Sequence, residues 1–170
     1  MRILRSAAAM ACALCFAAAP GQAQDLKIGA VFPMSGPNAE IGEIFSRSAT
    51  IAVDQVNADK MLSRPLKLVI EDSQATPQGG VIAMTKLVDV EKAPYVLGAY
   101  TAVSKAIAPI GDRAKVVTIN GGAVGPDLAE LGDYFWDVIP LVNFEGEVAV
   151  PYLVKERNLK RLTLIYVDDP

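Results

Sequence analysis

Leu26-Lys27-Ile28-Gly29-Ala30-Val31-Phe32 is followed directly by Pro33-Met34-Ser35-Gly36-Pro37-Asn38, an apolar run ending in a turn. The first seven residues are almost continuously apolar, as suits a parallel strand covered on both faces. The Pro, Gly, Ser and Asn residues behind them are turn formers. Downstream, Ile41, Ile44, Phe45, Ala49, Ile51, Ala52 and Val56 recur at three- and four-residue steps, which predicts a helix from about Ala39 to Ala58.

The same strand-then-helix unit repeats along the chain. Leu66 to Ile70 reads as a second strand. Thr76-Pro77 opens a second helix, because proline is tolerated at the first helical position, and Val81, Met84, Leu87 and Val88 line it. Tyr95-Val96-Leu97 is a third strand, with a helix from about Ala102 to Ala114 after it, and Val116 to Ile119 is a fourth. Gly121 to Pro126 shows neither helical nor strand periodicity, and Tyr134 to Ile139 reads as extended. Asn143 is placed to cap a helix running to Arg157, and Leu162 to Val167 reads as a final strand. Strands alternating with helices predict an α/β fold with a doubly wound parallel sheet and right-handed connections. Because the chain stops just after a strand, at Asp168-Asp169-Pro170, a truncated lobe is expected.

Upstream of Leu26, Arg2 and Arg5 precede an uncharged apolar run from Ala7 to Ala19, then Pro20 and the small residues Gly21-Gln22-Ala23. That order is the signature of a secretory signal peptide, here cleaved after Ala23, so export to the periplasm is expected. Both cysteines, Cys12 and Cys15, fall inside it, and Ala-Met-Ala before Cys12 is a poor context for lipidation. Cleavage removes two of the 16 basic residues against 19 acids, moving the net charge from −3 to −5. An acidic chain without basic clusters is a poor partner for nucleic acid.

Composition narrows the chemistry further. The chain contains no histidine, and the mature part contains no cysteine, which excludes Ser-His and Cys-His nucleophile pairs and His- or thiolate-based zinc sites within it. The neighbouring acids Glu71-Asp72 and Asp168-Asp169 alternate sides along a strand, so they read as solvated strand ends rather than a convergent pair. No G-x-G-x-x-G or phosphate-binding P-loop motif is present. No catalytic residue, metal site or cofactor is expected.

Open parallel sheets bind ligands outside the carboxyl ends of their strands. Those ends carry Pro33 to Asn38, Ala99-Tyr100-Thr101 and Gly121-Gly122-Ala123-Val124. Helices beginning after the first two offer free N–H groups and a positive dipole end, suited to a carboxylate. The candidate ligand-binding residues are Ser35, Tyr100, Thr101, Ala102, Gly122, Ala123 and Val124.

Several short motifs fall in a known order. Lys27-Ile28-Gly29 leads to Ser35-Gly36-Pro37-Asn38-Ala39 and Gly42; Ala52 to Asn57 and Glu71-Asp72-Ser73-Gln74 follow. Then come Gly98 to Ala102, Pro126-Asp127-Leu128 with Gly132, Phe135, Glu145-Gly146, and Leu164 to Asp169. Together they resemble the leucine/isoleucine/valine-binding protein family of periplasmic solute-binding proteins. The resemblance implies two α/β lobes that close on a ligand, with residues 24–140 forming the incomplete first lobe and 141–170 the start of the second. It also implies delivery of a small amino acid or other carboxylate to the permease of an ABC importer, and no enzymatic activity. A ligand-sensing domain of the same fold in a signalling receptor is the alternative. Within the family's pattern, the ligand head group meets Tyr100-Thr101-Ala102 and Gly122-Ala123-Val124. The chain departs from the branched-chain amino-acid binders where Ala102 and Val124 replace hydroxyl residues and Ile41 replaces an aromatic one.

Overall fold

The computed structural model describes residues 25–165. The expected signal peptide and the last five residues of the chain lie outside them.

Alternation of side chains along each strand sorts the core into two faces. In β1 (Leu26–Phe32), Ala30 and Phe32 point to one side and Val31 to the other, and all three are buried. Helix α1 (Ala39–Ala58) covers the first side, packing Phe45 and Ala49 against Ala30, Phe32 and the second strand, β2 (Leu66–Asp72). The Phe32 and Phe45 rings sit 5.5 Å apart between centroids. On the other side, α2 (Pro77–Asp89) contributes Ala83, Met84 and Leu87, and α3 (Thr101–Ala114) contributes Val103 and Ile107. These five residues close over Val31 and over Val96 of β3 (Tyr95–Gly98).

The sheet is completed by β4 (Val117–Asn120) and the short β5 (Phe135–Asp137), all strands parallel, in the order β2-β1-β3-β4-β5. The chain therefore switches direction between β1 and β3, where doubly wound sheets open a crevice for ligands. Register makes that crevice. Phe32 lies beside Asp72, while Val31, Gly98, Asn120 and Asp137 form one row, so the four connecting loops leave from a single rim. After β4 the chain makes a 3₁₀ turn (Pro126–Glu130) whose Leu128 packs with Ala108, Ala123, Phe135 and Leu141. The last elements are α4 (Val142–Pro151) and a π-helical turn (Tyr152–Glu156).

The doubly wound α/β reading holds, and several details differ from expectation. In α1 the inward positions are Phe45, Ala49, Val53 and Val56, while Ile44 and Ile51 stay 58% and 67% exposed. The apolar stripe is wider than the strip of sheet that it covers. In α2 the half-exposed Val81 yields its inward place to Ala83. Asn143 is not a cap: the cap position is two residues earlier, at Leu141, with no side-chain cap bond, and the Val142 N–H donates to the Val124 carbonyl instead. The expected strand over Leu162 to Val167 is not formed across its described part. Residues 161–165 are irregular and pair with none of the described strands, with Leu164 and Ile165 84% and 92% exposed.

One glycine holds the first rim loop against the sheet. A Cβ on Gly42 would sit 2.0 Å from the Pro33 carbonyl oxygen, so α1 can approach that closely only without a side chain. Gly42→Ala is expected to destabilise by about 1–3 kcal/mol through overpacking. Gly146, in α4 with open space around it, is the control, and its alanine variant should gain about 0.5–1 kcal/mol from helix propensity. Urea unfolding of both variants beside wild type checks the pair.

Candidate functional site

At the end of β3 the chain turns sharply into α3. Tyr100 makes the turn with φ 70° and ψ 130°, a backbone region that side chains rarely occupy. Such strain costs about 1–3 kcal/mol and concentrates at ligand sites. Ala75, in the loop after β2, also has a positive φ of 54°. Both residues border one cavity of about 210 Å³, and Thr101, Ala102, Gly122, Ala123 and Val124 complete its walls.

Six of the seven residues expected at the site thus converge, although their loops follow two different strands. Ser35 is the exception. Its hydroxyl donates to Asp72 Oδ2 at 2.5 Å, and it does not line the cavity. The cause lies in register: Asp72 ends β2 beside Phe32, so its carboxylate faces the loop that leaves β1. Asp72 Oδ1 accepts from the N–H groups of Met34 (2.8 Å), Ser35 (3.3 Å) and Gln74 (2.8 Å).

Burial alone would raise the Asp72 pKa. The Ser35 hydroxyl and the N–H groups of Gln74, Met34 and Ser35 outweigh it and hold the carboxyl below its usual 3.8. A depressed folded-state pKa contributes stability that is present above the unfolded value and lost as pH falls through the folded one. Asp72→Asn should therefore be less stable than wild type at neutral pH, and the gap should close at acid pH, as pH falls through the lowered pKa of the folded carboxyl. Denaturant titrations at the two pH values read this directly.

The second wall is held by a residue that the sequence reading passed over. Asn120, fully buried at the end of β4, uses its whole hydrogen-bonding capacity. Its Oδ1 accepts from the Gly122 N–H (3.2 Å) and the Ala123 N–H (2.8 Å). Its Nδ2 donates to the Ala123 carbonyl (2.7 Å) and to Asp137 Oδ1 (2.6 Å). The Ala123 N–H is therefore committed within the loop. Gly122 is needed for close approach, because a Cβ there would lie 2.6 Å from the Phe45 ring. Thr101 joins the two walls: its Oγ1 accepts from the Gly125 N–H at 3.3 Å. At one side of this junction, Lys105 Nζ reaches Asp127 Oδ2 at 2.5 Å.

Of the two loops, the α3 end carries the open donors. The N–H groups of Thr101 and Ala102 have no partner earlier in the helix, no side chain caps them, and no acceptor among the described residues bonds them. With the positive end of the helix dipole behind them, they suit an anion. Among the described residues no three His, Cys, Asp or Glu side chains come together to hold a metal ion. No helix among them is long and apolar enough to cross a membrane.

The sequence model described as periplasmic binding protein matches residues 25–170. The chain belongs to the periplasmic binding protein family. That family consists of solute-binding proteins. An amino acid binding protein of Pseudomonas aeruginosa is 30% identical over 148 residues, covering 85% of this chain and 40% of the relative. A leucine-specific-binding protein of Salmonella typhimurium is 26% identical over 147 residues, with the same coverage of each chain. Among solved structures, the branched-chain amino acid transporter substrate binding protein LivJ of Streptococcus pneumoniae, in complex with isoleucine, superimposes with a TM-score of 0.71. It is 26% identical, and the match covers 79% of this chain and 39% of that one. A solute binding protein from R. palustris in complex with 4-hydroxybenzoate shares the fold, with a TM-score of 0.66 at 23% identity over 79% of this chain and 36% of that one. The chain spans about 40% of the length of the curated relatives it matches.

Proposed function

We propose that this chain is the ligand-binding part of an extracytoplasmic solute-binding protein that delivers a small organic carboxylate, an amino acid or another acid, to the permease of an ABC importer. The observation that carries the reading is the convergence of Tyr100-Thr101-Ala102 and Gly122-Ala123-Val124 on one cavity, with the open end of α3 at its edge. Similarity to the amino acid binding protein of P. aeruginosa and to the isoleucine-bound LivJ supports the ligand class. The expected signal peptide supports export to the periplasm.

Residues 24–140 belong, on this reading, to one lobe, and 141–170 begin a second. Burial supports a break close to this point but one residue later, since Leu141 still packs with residues of the first lobe. Leu141 is the last residue packed into the edge cluster, and nothing from Val142 to Glu156 is buried.

Calorimetric titration of the complete gene product with amino acids and with simple aromatic and aliphatic acids tests the function. Saturable binding of an organic acid is expected, and binding of only sugars or metal ions contradicts it. Thr101→Val removes one hydroxyl from the cavity wall and leaves the Gly125 N–H without its acceptor. It should weaken binding by about 1 kcal/mol. An unchanged affinity would remove Thr101 from the site.

A further inference from the structure

The loop after β2 borders the cavity with its backbone held against its own preference. Gln74 and Ala75 are both left-handed, with φ 53° and 54°. Side chains disfavour that region, because a Cβ there crowds the following carbonyl. Ala75 lines the cavity of about 210 Å³ together with Tyr100, the other positive-φ residue of the site. Such strain persists only where the surroundings over-determine it, and it concentrates at ligand clamps.

The surroundings here are the side chains that end β2. The Gln74 N–H donates to Asp72 Oδ1 at 2.8 Å, and the Ala75 N–H donates to Ser73 Oγ at 3.3 Å. Ser73 is itself fixed and fully buried. Its N–H donates to the Phe32 carbonyl at 2.8 Å, and its carbonyl accepts from the Thr76 N–H at 2.9 Å and the Thr76 hydroxyl at 3.2 Å. A Cβ on Gly79 would lie 2.1 Å from that carbonyl oxygen, so α2 closes over the turn only without a side chain there. Asp72 reaches further. Its carboxylate also takes the N–H groups of Met34 and Ser35 and the Ser35 hydroxyl, which fixes the β2 loop against the β1 loop. Helix α2 does not need this arrangement, because Thr76 caps it and neither Gln74 nor Ala75 belongs to it.

We infer that Asp72 is a positioning residue for the ligand: it touches nothing in the cavity, but it holds the left-handed turn at Gln74 and Ala75 that keeps Ala75 on the cavity wall. The inference rests on the reading of this cavity as the carboxylate site and adds a third loop to it.

The test is calorimetric titration of the complete protein with 3-phenylpropanoate and with L-leucine, at a temperature where every variant is folded by circular dichroism. For whichever ligand binds, Asp72→Ala should weaken binding by about tenfold, the effect of one lost hydrogen bond acting through the turn. Adding Gln74→Gly should recover about threefold of that loss, because glycine adopts the left-handed region without a steric cost. Gln74 is exposed, so its side chain takes no packing with it. Asn57→Ala is the control for stability alone. The Asn57 amide clasps the Leu66 N–H and carbonyl at the opposite end of the sheet, so its loss should lower Tm and leave affinity unchanged. If Asp72→Ala does not fold, Asp72→Asn, which keeps one acceptor oxygen, replaces it with and without Gln74→Gly, and a smaller loss with the same recovery is expected. An Asp72 variant that binds as tightly as wild type, or a loss that Gln74→Gly does not reduce, overturns the inference and leaves the carboxylate reading standing. So does an equal loss in Asn57→Ala, since affinity would then follow stability. Wild type that binds neither ligand overturns the carboxylate reading, and the inference with it.

Discussion

Asn120→Ala should be the most damaging single substitution at the rim, lowering the stability of the lobe by about 3 kcal/mol. The side chain is fully buried, and all four of its hydrogen-bonding positions are used. Truncation leaves the Gly122 and Ala123 N–H groups, the Ala123 carbonyl and Asp137 Oδ1 without that partner. Each group left unsatisfied costs about 1–3 kcal/mol, less whatever water recovers on entering the space. For a domain of this size the loss corresponds to a fall in the lobe's Tm of about 10 °C, readable by scanning calorimetry. Ligand affinity should fall with it, since residues 121–123 keep their shape through Asn120. A variant as stable as wild type would show that the loop holds itself.

Ala102→Asp should separate binding from folding. Ala102 sits in the first turn of α3 and lines the cavity, where a carboxylate favours the helix end and leaves stability unchanged or slightly raised. The same carboxylate stands where the ligand's acid group is read to bind. Like charges brought together across an interface cost several kcal/mol, so affinity should drop by at least about 100-fold. Ala102→Asn, of nearly the same shape but uncharged, should lose far less. Calorimetric titration of the two variants beside wild type measures the effect. Equal losses in both would point to crowding rather than charge, and no loss in either would move the acid group away from α3.

What the sequence reveals of this architecture is what local chemistry decides. Thr76-Pro77 reads as a helix start because capping is a contact within one turn, and Thr76 Oγ1 does accept from the Gly79 N–H at 3.0 Å. The strands from β1 to β4 are legible because a buried parallel strand needs a continuous apolar run whatever surrounds it. Leu162 to Ile165 carries a similar run and stays irregular, since a strand exists only against a partner.

The site follows the same division. Tyr100, Thr101 and Ala102 are readable from their place after β3, and Gly122 to Val124 from theirs after β4. Asn120 and Asp72 are not readable, because they act through bonds that the sheet register creates. Asp72 reaches residues 37 and 38 positions away, and Asn120 reaches Asp137, 17 positions on. A polar residue at the last position of a buried strand, just before a Gly-rich loop, was the available signal for Asn120. Ser35 lies off the cavity for the matching reason: the same register that gives Asp72 its donors engages the Ser35 hydroxyl.

The most direct test of the account is to follow backbone amide resonances of the complete protein during titration with a simple organic acid such as 3-phenylpropanoate. Saturable shifts are expected, largest at Thr101 and Ala102, smaller at Gly122 to Val124, and absent around Val56 to Pro65 at the opposite end of the sheet. Saturable shifts that leave Thr101 and Ala102 unmoved would contradict it.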